Sequence, residues 1–267
     1  MDSLAEEFAL MTVGKFRAWY RAISGTSDIH VPKYFAGGYS KKLLSIAPAN
    51  LIGYWPLWET SGAVADNLQG TAARDGAYIG VTLNSSTGPD GRPVGLWDGA
   101  NDYCDIYSAS LNTAFSGAEG TISIWAKISA AGVWTDGAER YLYRLTVGAD
   151  FLFIRKNTTN NQVLLTYKAG GVSNSVTVSS ITSAGWINFA LTWSKSGDAV
   201  KAYMNGVQQG ATSTGLGIWS GDLASTACIL GADDVPSPAS IWDGYLAHAA
   251  VWTTPLTPAQ ILALATV

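Results

Sequence analysis

Acidic residues gather in short loops of this 267-residue chain, where they could hold a calcium ion. Asp98 lies in a Trp-Asp-Gly turn, Asp102 follows it closely, and Asp66 lies in an earlier loop. Calcium binds six to eight oxygens, mostly from carboxylates and carbonyls, which converging loops can supply. Acidic residues in turns also accept hydrogen bonds from nearby backbone N–H groups, so the same residues fit a purely structural role. Asp66 and Asp102 are the first candidate ligands.

Residue patterns for catalysis are sparse in this sequence. A glycosidase needs two carboxyl groups on one face, about 5 Å apart in retaining enzymes, and no predicted strand carries a pair of glutamates. An inverting pair built from aspartates is left open. The two histidines, His30 and His248, belong to no nucleophile motif, and neither a Gly-x-Ser-x-Gly elbow nor a phosphate-binding loop is present. The sequence therefore predicts a protein that is not an enzyme.

The clearest β-structure is predicted at residues 185–210, as three antiparallel strands. Apolar and polar side chains alternate there with a period of two, which is typical of a strand with one buried face. Asn205-Gly206 between apolar flanks predicts a type I′ hairpin turn. Such a meander needs a second sheet over its apolar face to be stable. That face carries Ile187, Phe189, Leu191 and Trp193.

Many short strands separated by turn residues predict a β-sandwich or jelly roll. Thr257 and Gln260 form a capping-box pattern with Pro258, which predicts a short helix ending near Leu264. The other predicted strands are 52–57, 76–79, 95–97, 104–107, 120–128, 140–147, 151–156, 162–168, 173–178, 227–230 and 245–251.

Residues 1–48 are predicted to be a separate arm before a β-domain at 49–267. Ser3 and Glu6 form a capping box for an amphipathic helix ending near Gly25, and an extended linker is expected over 26–48. The helix either folds back onto its own domain or docks on a neighbouring subunit or larger particle. Its apolar face includes Phe8, Val13, Phe16, Trp19, Tyr20 and Ile23.

Composition excludes several partners. Only 13% of residues are charged and the net charge is −4, so no basic stripe for nucleic acid is present. No apolar run reaches the length of a membrane span, and the acidic N-terminus is not a secretory signal. Cys104 and Cys228 are predicted as buried free thiols, with a single disulfide left open.

Several stretches carry motifs of one known family, in the same order along the chain. They resemble the laminin-G-like, concanavalin A-like jelly-roll family over residues 49–267. The resemblance implies an all-β jelly-roll β-sandwich, to which this chain adds the N-terminal amphipathic α-helical arm. The stretches are 53–59 (Gly-Tyr-Trp-Pro-Leu-Trp-Glu), 96–103 (Leu-Trp-Asp-Gly-Ala-Asn-Asp-Tyr), 121–127 (Thr-Ile-Ser-Ile-Trp-Ala-Lys), 186–194 with 200–207, and 243–264.

The resemblance also implies where ligands bind. Carbohydrate-binding members use aromatic platforms in loops, and three tryptophans of this chain lie beside Gly, Ser and Asp residues as loop aromatics would. These tryptophans could equally pack against a neighbouring subunit. The paired catalytic glutamates of the family's glycanases are absent from this chain. In the closing strand, Leu246-Ala247-His248 stands where calcium-binding members have an acidic residue that helps to hold the metal. The candidate glycan site comprises Trp134, Asp136, Trp219, Asp222 and Trp242.

We expect a non-enzymatic structural or adhesive protein of a large assembly. A phage virion component such as a capsid decoration, tail or fibre protein is favoured, because the chain shows no export signal, its low-charge β-domain suits close packing, and its amphipathic arm suits attachment. Residues 39–59 are also similar to laminin-G-like proteins from phage and bacterial metagenomes. The arm would then support a homo-oligomer or docking on a particle, with a glycan as a further partner. A free-standing lectin-like module is the alternative and a glycanase the third hypothesis. The expected location is the virion, or the exterior by a route other than a secretory signal.

Overall fold

Two antiparallel sheets of eight strands each face one another in the part of the chain that the computed structural model describes, residues 38–69 and 72–267. This arrangement confirms the predicted jelly-roll β-sandwich. The predicted helix of the arm, including its apolar face from Phe8 to Ile23, lies outside the described residues. No helix within the described ranges is long and apolar enough to cross a membrane.

Sheet 1 has a linear order of seven strands, and an eighth strand pairs beside its centre. From one edge to the other the seven are β14 (Val207–Ser213), β13 (Ala199–Met204), β12 (Ile187–Ser194), β7 (Glu119–Ile128), β16 (Asp243–Trp252), β5 (Pro93–Asp98) and β4 (Thr82–Thr87). The eighth, β1 (Leu51–Trp55), pairs with β16.

Sheet 2 packs against sheet 1 and contains the remaining strands. Three α-helices complete the described chain, α1 (Gly38–Ser45), α2 (Ala109–Ala114) and α3 (Pro258–Leu264), together with two short 3-10 helices (Ala72–Arg74 and Ala131–Thr135). The order of sheet 2 is β11 (Val172–Val178), β10 (Val163–Ala169), β9 (Asp150–Lys156), β8 (Arg140–Val147), β15 (Cys228–Leu230), β6 (Tyr103–Asp105), β3 (Gly76–Ile79) and β2 (Val64–Ala65).

The predicted central meander is confirmed as β12, β13 and β14. Phe189, Leu191 and Trp193 alternate towards the core between the sheets and are fully buried. Each such side chain contributes about 1.5–3 kcal/mol by leaving water. Asn205 and Gly206 both have positive φ, 47° and 80°, as a type I′ turn requires.

Helix α1 corrects the prediction of an extended linker over residues 38–48. Tyr39 and Leu43 are four residues apart, so they lie on one face of the helix, and both are buried. The Tyr39 hydroxyl donates to the Leu264 carbonyl at 2.7 Å and accepts from Trp125 Nε1 at 3.0 Å. Helix α1 is thereby fixed to α3 and to the outer face of sheet 1, in the compact unit Tyr39–Val267.

A buried polar chain further ties α1 to the sandwich. Ser40 Oγ lies 2.7 Å from Tyr54 Oη, which lies 2.8 Å from His248 Nδ1. His248 Nε2 lies 3.4 Å from Asp90 Oδ2 in the turn between β4 and β5. Burial lowers the pKa of His248, although Asp90 opposes the shift. These contacts connect α1, β1, β16 and the β4–β5 turn. They also give hydrogen-bond partners to polar side chains that are buried away from water.

Local predictions at the C-terminus and at the cysteines agree with the structure. Helix α3 begins with the predicted capping box, in which Thr257 Oγ1 accepts from the Gln260 N–H and Gln260 Oε1 accepts from the Thr257 N–H. Cys104 and Cys228 are buried free thiols, so the alternative of a disulfide is not realised. Burial raises the pKa of Cys228 to about 12, which makes its thiol unreactive at neutral pH.

Candidate functional site

Two of the three tryptophans predicted as glycan platforms belong to the core. Trp134 is 2% exposed and Trp242 is fully buried, with ring centroids 5.9 Å apart in an edge-to-face contact. Trp134 Nε1 also donates to the Ser183 carbonyl at 2.8 Å. The prediction for these two residues is therefore wrong. Polar neighbours in sequence mark a loop, but they do not say whether its aromatic side chain points outward or inward.

Trp219, the third predicted platform, is half-buried against the protein's own rings. Its centroid lies 5.5 Å from that of Phe115 and 5.8 Å from that of Tyr167. The indole also covers Gly117 so closely that a Cβ there would lie 1.9 Å from it. Asp222, three residues further on, is exposed. Much of the Trp219 ring thus closes one end of the sandwich, which leaves little of it for a ligand.

Asp136, another predicted glycan ligand, serves as the counter-ion of a buried lysine. Lys156, whose side chain is fully buried, donates to Asp136 Oδ1 at 2.7 Å. Arg140 donates to Oδ2 through Nη2 at 2.8 Å and Nε at 3.0 Å. Burial opposes ionisation, but these hydrogen bonds hold the pKa of Asp136 below its usual range. Both oxygens are thus engaged within the chain, and a role of Asp136 in binding a glycan stays a prediction.

The calcium candidates make local contacts instead of a shared cage. Asp102 is buried and its Oδ2 accepts the Asp98 N–H at 2.9 Å. Asp66 donates its backbone N–H to Glu59 Oε1 at 3.0 Å. Across residues 38–69 and 72–267, no three Asp, Glu, His or Cys side chains gather in a way that could hold a metal ion. A calcium ion at Asp66 or Asp102 thus stays a prediction without an assembled ligand set.

The outer face of sheet 2 carries a cluster of aromatic and cationic side chains that was not predicted. Strand β9 alternates, so Leu152 and Ile154 enter the core whereas Phe151, Phe153 and Arg155 point the other way. The pairing register brings residues of β8 and β10 beside them on that face. We call this cluster the aromatic–basic face; it comprises Tyr141, Arg144, Phe151, Phe153, Arg155 and Lys168.

The three rings of the aromatic–basic face form a continuous row. Phe151 and Phe153 stack with centroids 5.5 Å apart, and Tyr141 meets Phe153 edge-to-face at 5.4 Å. Arg155 covers Phe153 at 4.8 Å from its ring centroid, and Lys168 covers Phe151 at 5.1 Å. Such cation–π contacts are worth about 0.5–1 kcal/mol each at exposed sites. They hold the cations against the rings and so fix where charge is presented.

The cations of this face are only partly neutralised by the chain itself. Arg155 Nη1 pairs with Glu139 Oε2 at 2.5 Å and donates to Tyr141 Oη at 3.2 Å, but its buried Nε has no acceptor among the described residues. Lys168 makes a ring contact and no ion pair within the described ranges. Burial raises the pKa of Tyr141, with Arg155 opposing, so its hydroxyl remains a neutral donor. Tyr141 and Phe153 are buried beneath the cations, so the face presents the partly exposed ring of Phe151 and the ammonium of Lys168.

The sequence contained a signal for this face that the period-two pattern could not resolve. In Asp-Phe-Leu-Phe-Ile-Arg-Lys, each of the two alternating sets of β9 contains two apolar residues and ends in a cation. Lys156 is the cation that turns inward, towards Asp136, and Arg155 is the one that stays outside. Only the tertiary pairing decides which apolar set covers the core.

The fold is shared with known proteins. A laminin G family model, described as the concanavalin A-like lectin/glucanases superfamily, matches residues 98–262. No curated protein sequence matches the chain. Among solved structures, domain 4 of AbnA, a GH43 extracellular arabinanase from Geobacillus stearothermophilus in complex with arabinotriose, is similar with a TM-score of 0.55 and 15% identity. That match covers 81% of this chain and 98% of the domain.

Two larger proteins contain a similar fold as one part. Trypanosoma rangeli sialidase matches with a TM-score of 0.59 and 12% identity over 81% of this chain and 32% of the sialidase. The receptor binding domain of botulinum neurotoxin mosaic serotype C/D matches with a TM-score of 0.59 and 10% identity, over 81% of this chain and 50% of that domain. This chain thus spans about a third and a half of their lengths, and at these identities the likeness concerns the fold alone.

Proposed function

Because the chain belongs to the concanavalin A-like lectin/glucanase superfamily, we propose that it is a non-enzymatic adhesive protein that binds carbohydrate on its aromatic–basic face. Phe151, a partly exposed ring that stacks on the buried Phe153 and has Lys168 beside it, is the observation that carries the proposal. Sugar rings present C–H faces that pack on aromatic side chains and hydroxyls that accept from flanking N–H donors. An arabinotriose complex is described for the similar arabinanase domain, which supports the same class of ligand.

Catalysis finds little support in the carboxylates of the described residues. Glu139 pairs with Arg155, and Glu119 accepts the Ser196 N–H at 2.9 Å. Glu59 is held by Tyr78 and the Asp66 N–H. Each glutamate lies at a different strand end and has its own partner, whereas a glycosidase needs a cooperating pair. We therefore favour binding over turnover, and a reducing-sugar assay that shows hydrolysis would contradict this choice.

The test compares two matched aromatic–lysine pairs on opposite sheets. Lys168 lies 5.1 Å from the Phe151 ring on sheet 2, and Lys127 lies 5.3 Å from the Tyr245 ring on sheet 1. A glycan array selects the ligand, and calorimetric titration then measures its affinity. Phe151→Ala should weaken binding about tenfold or more, or about 1.4 kcal/mol, while Tyr245→Ala should leave it unchanged. Equal effects of the two substitutions would refute the site.

A role in a larger assembly, such as a phage virion, is the finer part of this proposal. It is supported by the amphipathic pattern from Phe8 to Ile23 and by the low charge of the chain. Helix α1 packs on the sandwich, so the informative truncation begins at Gly38 and not at residue 49. An oligomer for the full chain and a folded monomer for the truncation, by light scattering, would support assembly through the arm. Monomers for both proteins would favour a free-standing lectin-like module.

A further inference from the structure

A half-open cavity lies on the outer face of sheet 1, on the opposite sheet from the proposed glycan face. It has a volume of about 320 Å³ and lies between the outer face of strands β12 and β13 and the segment that leads into α3. Ligand pockets in proteins measure about 300–1,000 Å³, so this one suits a molecule of one or two small rings. Its lining residues are Thr192, Ser194, Lys201, Tyr203, Leu256 and Thr257, with Pro255 and Pro258.

The wall of the cavity is fixed in place by the chain itself. The Thr121 hydroxyl donates to the Thr254 carbonyl at 2.8 Å and accepts the Leu256 N–H at 2.9 Å. The next residues are held by the capping box of Thr257 and Gln260. The segment that faces β13 is therefore already ordered without a ligand, which lowers the entropic cost of binding.

Lys201 is the charged group that makes this cavity selective. It makes no hydrogen bond or ion pair within the part of the chain that the structure describes. Two acids of the neighbouring strand and turn contact backbone groups: Glu119 accepts the Ser196 N–H, and Asp198 accepts the Gly215 and Leu216 N–H groups at 2.8 Å. Lys195, the other nearby cation, donates to the Leu216 carbonyl. The Lys201 ammonium is thus available to a ligand's negative charge.

The remaining lining combines hydroxyls with apolar rings. Thr192, Ser194 and Thr257 contribute hydroxyl groups, Tyr203 lies buried beneath, and the two prolines supply flat apolar walls. We propose that the cavity binds a carboxylate-bearing monosaccharide, with its carboxylate on Lys201 and its ring against the prolines. A lysine ammonium is a point charge that pairs with a carboxylate without requiring a bidentate geometry.

The proposal is tested with sodium glucuronate and sodium galacturonate as probes and methyl glucoside as the neutral control, by saturation-transfer NMR on the full chain. The uronates should bind in the millimolar range and more weakly as salt is added, and methyl glucoside should bind at least tenfold more weakly. K201Q should weaken uronate binding about tenfold, and K201E should abolish it. K41Q, which changes an exposed lysine of α1, should have no effect.

A further substitution separates this cavity from the aromatic–basic face. K168Q should leave uronate binding unchanged if the ligand lies at Lys201. Loss of binding in K168Q with retention in K201Q would place the uronate on the aromatic–basic face and overturn the inference. It is also overturned if neither uronate binds, or if the neutral sugar binds equally well.

Discussion

Glu59 is a partly buried carboxyl group whose ionisation should set the pH dependence of stability. It follows strand β1, and its Oε2 accepts from the Tyr78 hydroxyl at 2.6 Å while its Oε1 accepts the Asp66 N–H at 3.0 Å. Burial raises the pKa of Glu59 to about 7, although both hydrogen bonds oppose the shift. The native protein therefore keeps a proton on Glu59 that the unfolded chain releases. Replacing Glu59 by Gln makes the neutral state permanent.

The size of the effect follows from the two pKa values. The rise from the ordinary 4.5 to about 7, at about 1.36 kcal/mol per pH unit, amounts to about 3 kcal/mol. Because the native state binds the extra proton, this stability is present below the unfolded pKa of 4.5 and is lost as the pH rises through about 7. The free energy of unfolding of the wild type should thus fall, relative to Glu59→Gln, by about 2–3 kcal/mol between about pH 5 and pH 8.

The assay is urea unfolding of both proteins at several pH values in that range. His248, whose pKa is lowered by burial, gives the opposite slope as the pH rises towards its ordinary value, but it does so in both proteins and cancels in their difference. Asp222→Asn removes an exposed carboxyl group and serves as the matched control, which should follow the wild type. Parallel curves for wild type and Glu59→Gln would refute the reasoning, because they would mean that Glu59 titrates normally in the fold.

Three further predictions concern packing and buried polar groups. Gly117→Ala should destabilise the protein by about 1–3 kcal/mol in thermal unfolding, because the new methyl would enter the indole that covers it, whereas Gly132→Ala has open space and should be neutral. Tyr54→Phe should cost about 1–3 kcal/mol in urea unfolding, since it leaves buried partners at both ends of its hydroxyl unpaired. An unchanged urea midpoint for Tyr54→Phe would contradict a stabilising role of the hydrogen bonds from Tyr54 to Ser40 and His248. Cys104 and Cys228 should react with a thiol reagent only after denaturation; rapid labelling of the native protein would show that they are not buried as described.

The parts of the fold that were predicted correctly depend on short-range rules. The alternation in β12, the positive φ pair at Asn205-Gly206 and the capping box at Thr257 each involve residues within one strand, turn or helix end. Their physical causes, side-chain alternation and turn sterics, are readable without knowing the rest of the chain. The family resemblance then supplied the sandwich, which the family match and the sheet topology confirm.

The incorrect predictions concern where a side chain points after tertiary packing. Trp134 and Trp242 have polar neighbours in sequence but face each other in the core. The ion pair of Asp136 was likewise not foreseen, because it depends on Lys156, a residue of another element, turning inward. Helix α1 was missed because glycines and prolines around it favour a linker, whereas burial of its apolar face outweighs that local preference.

The asymmetry of the two sheets is the strongest argument for a function on sheet 2. On sheet 1 the outward-facing Trp125 and Trp252 are buried, and their ring N–H groups bond to α1 and to Ile46 just after it. On sheet 2 the equivalent aromatic side chains are covered chiefly by Arg155 and Lys168, and the cations themselves remain partly exposed. In a chain of net charge −4, this arrangement places positive charge beside the partly exposed ring of Phe151 on the outer face of sheet 2. A surface maintained only for stability would not be expected to keep both the exposed aromatic ring and the positive charge.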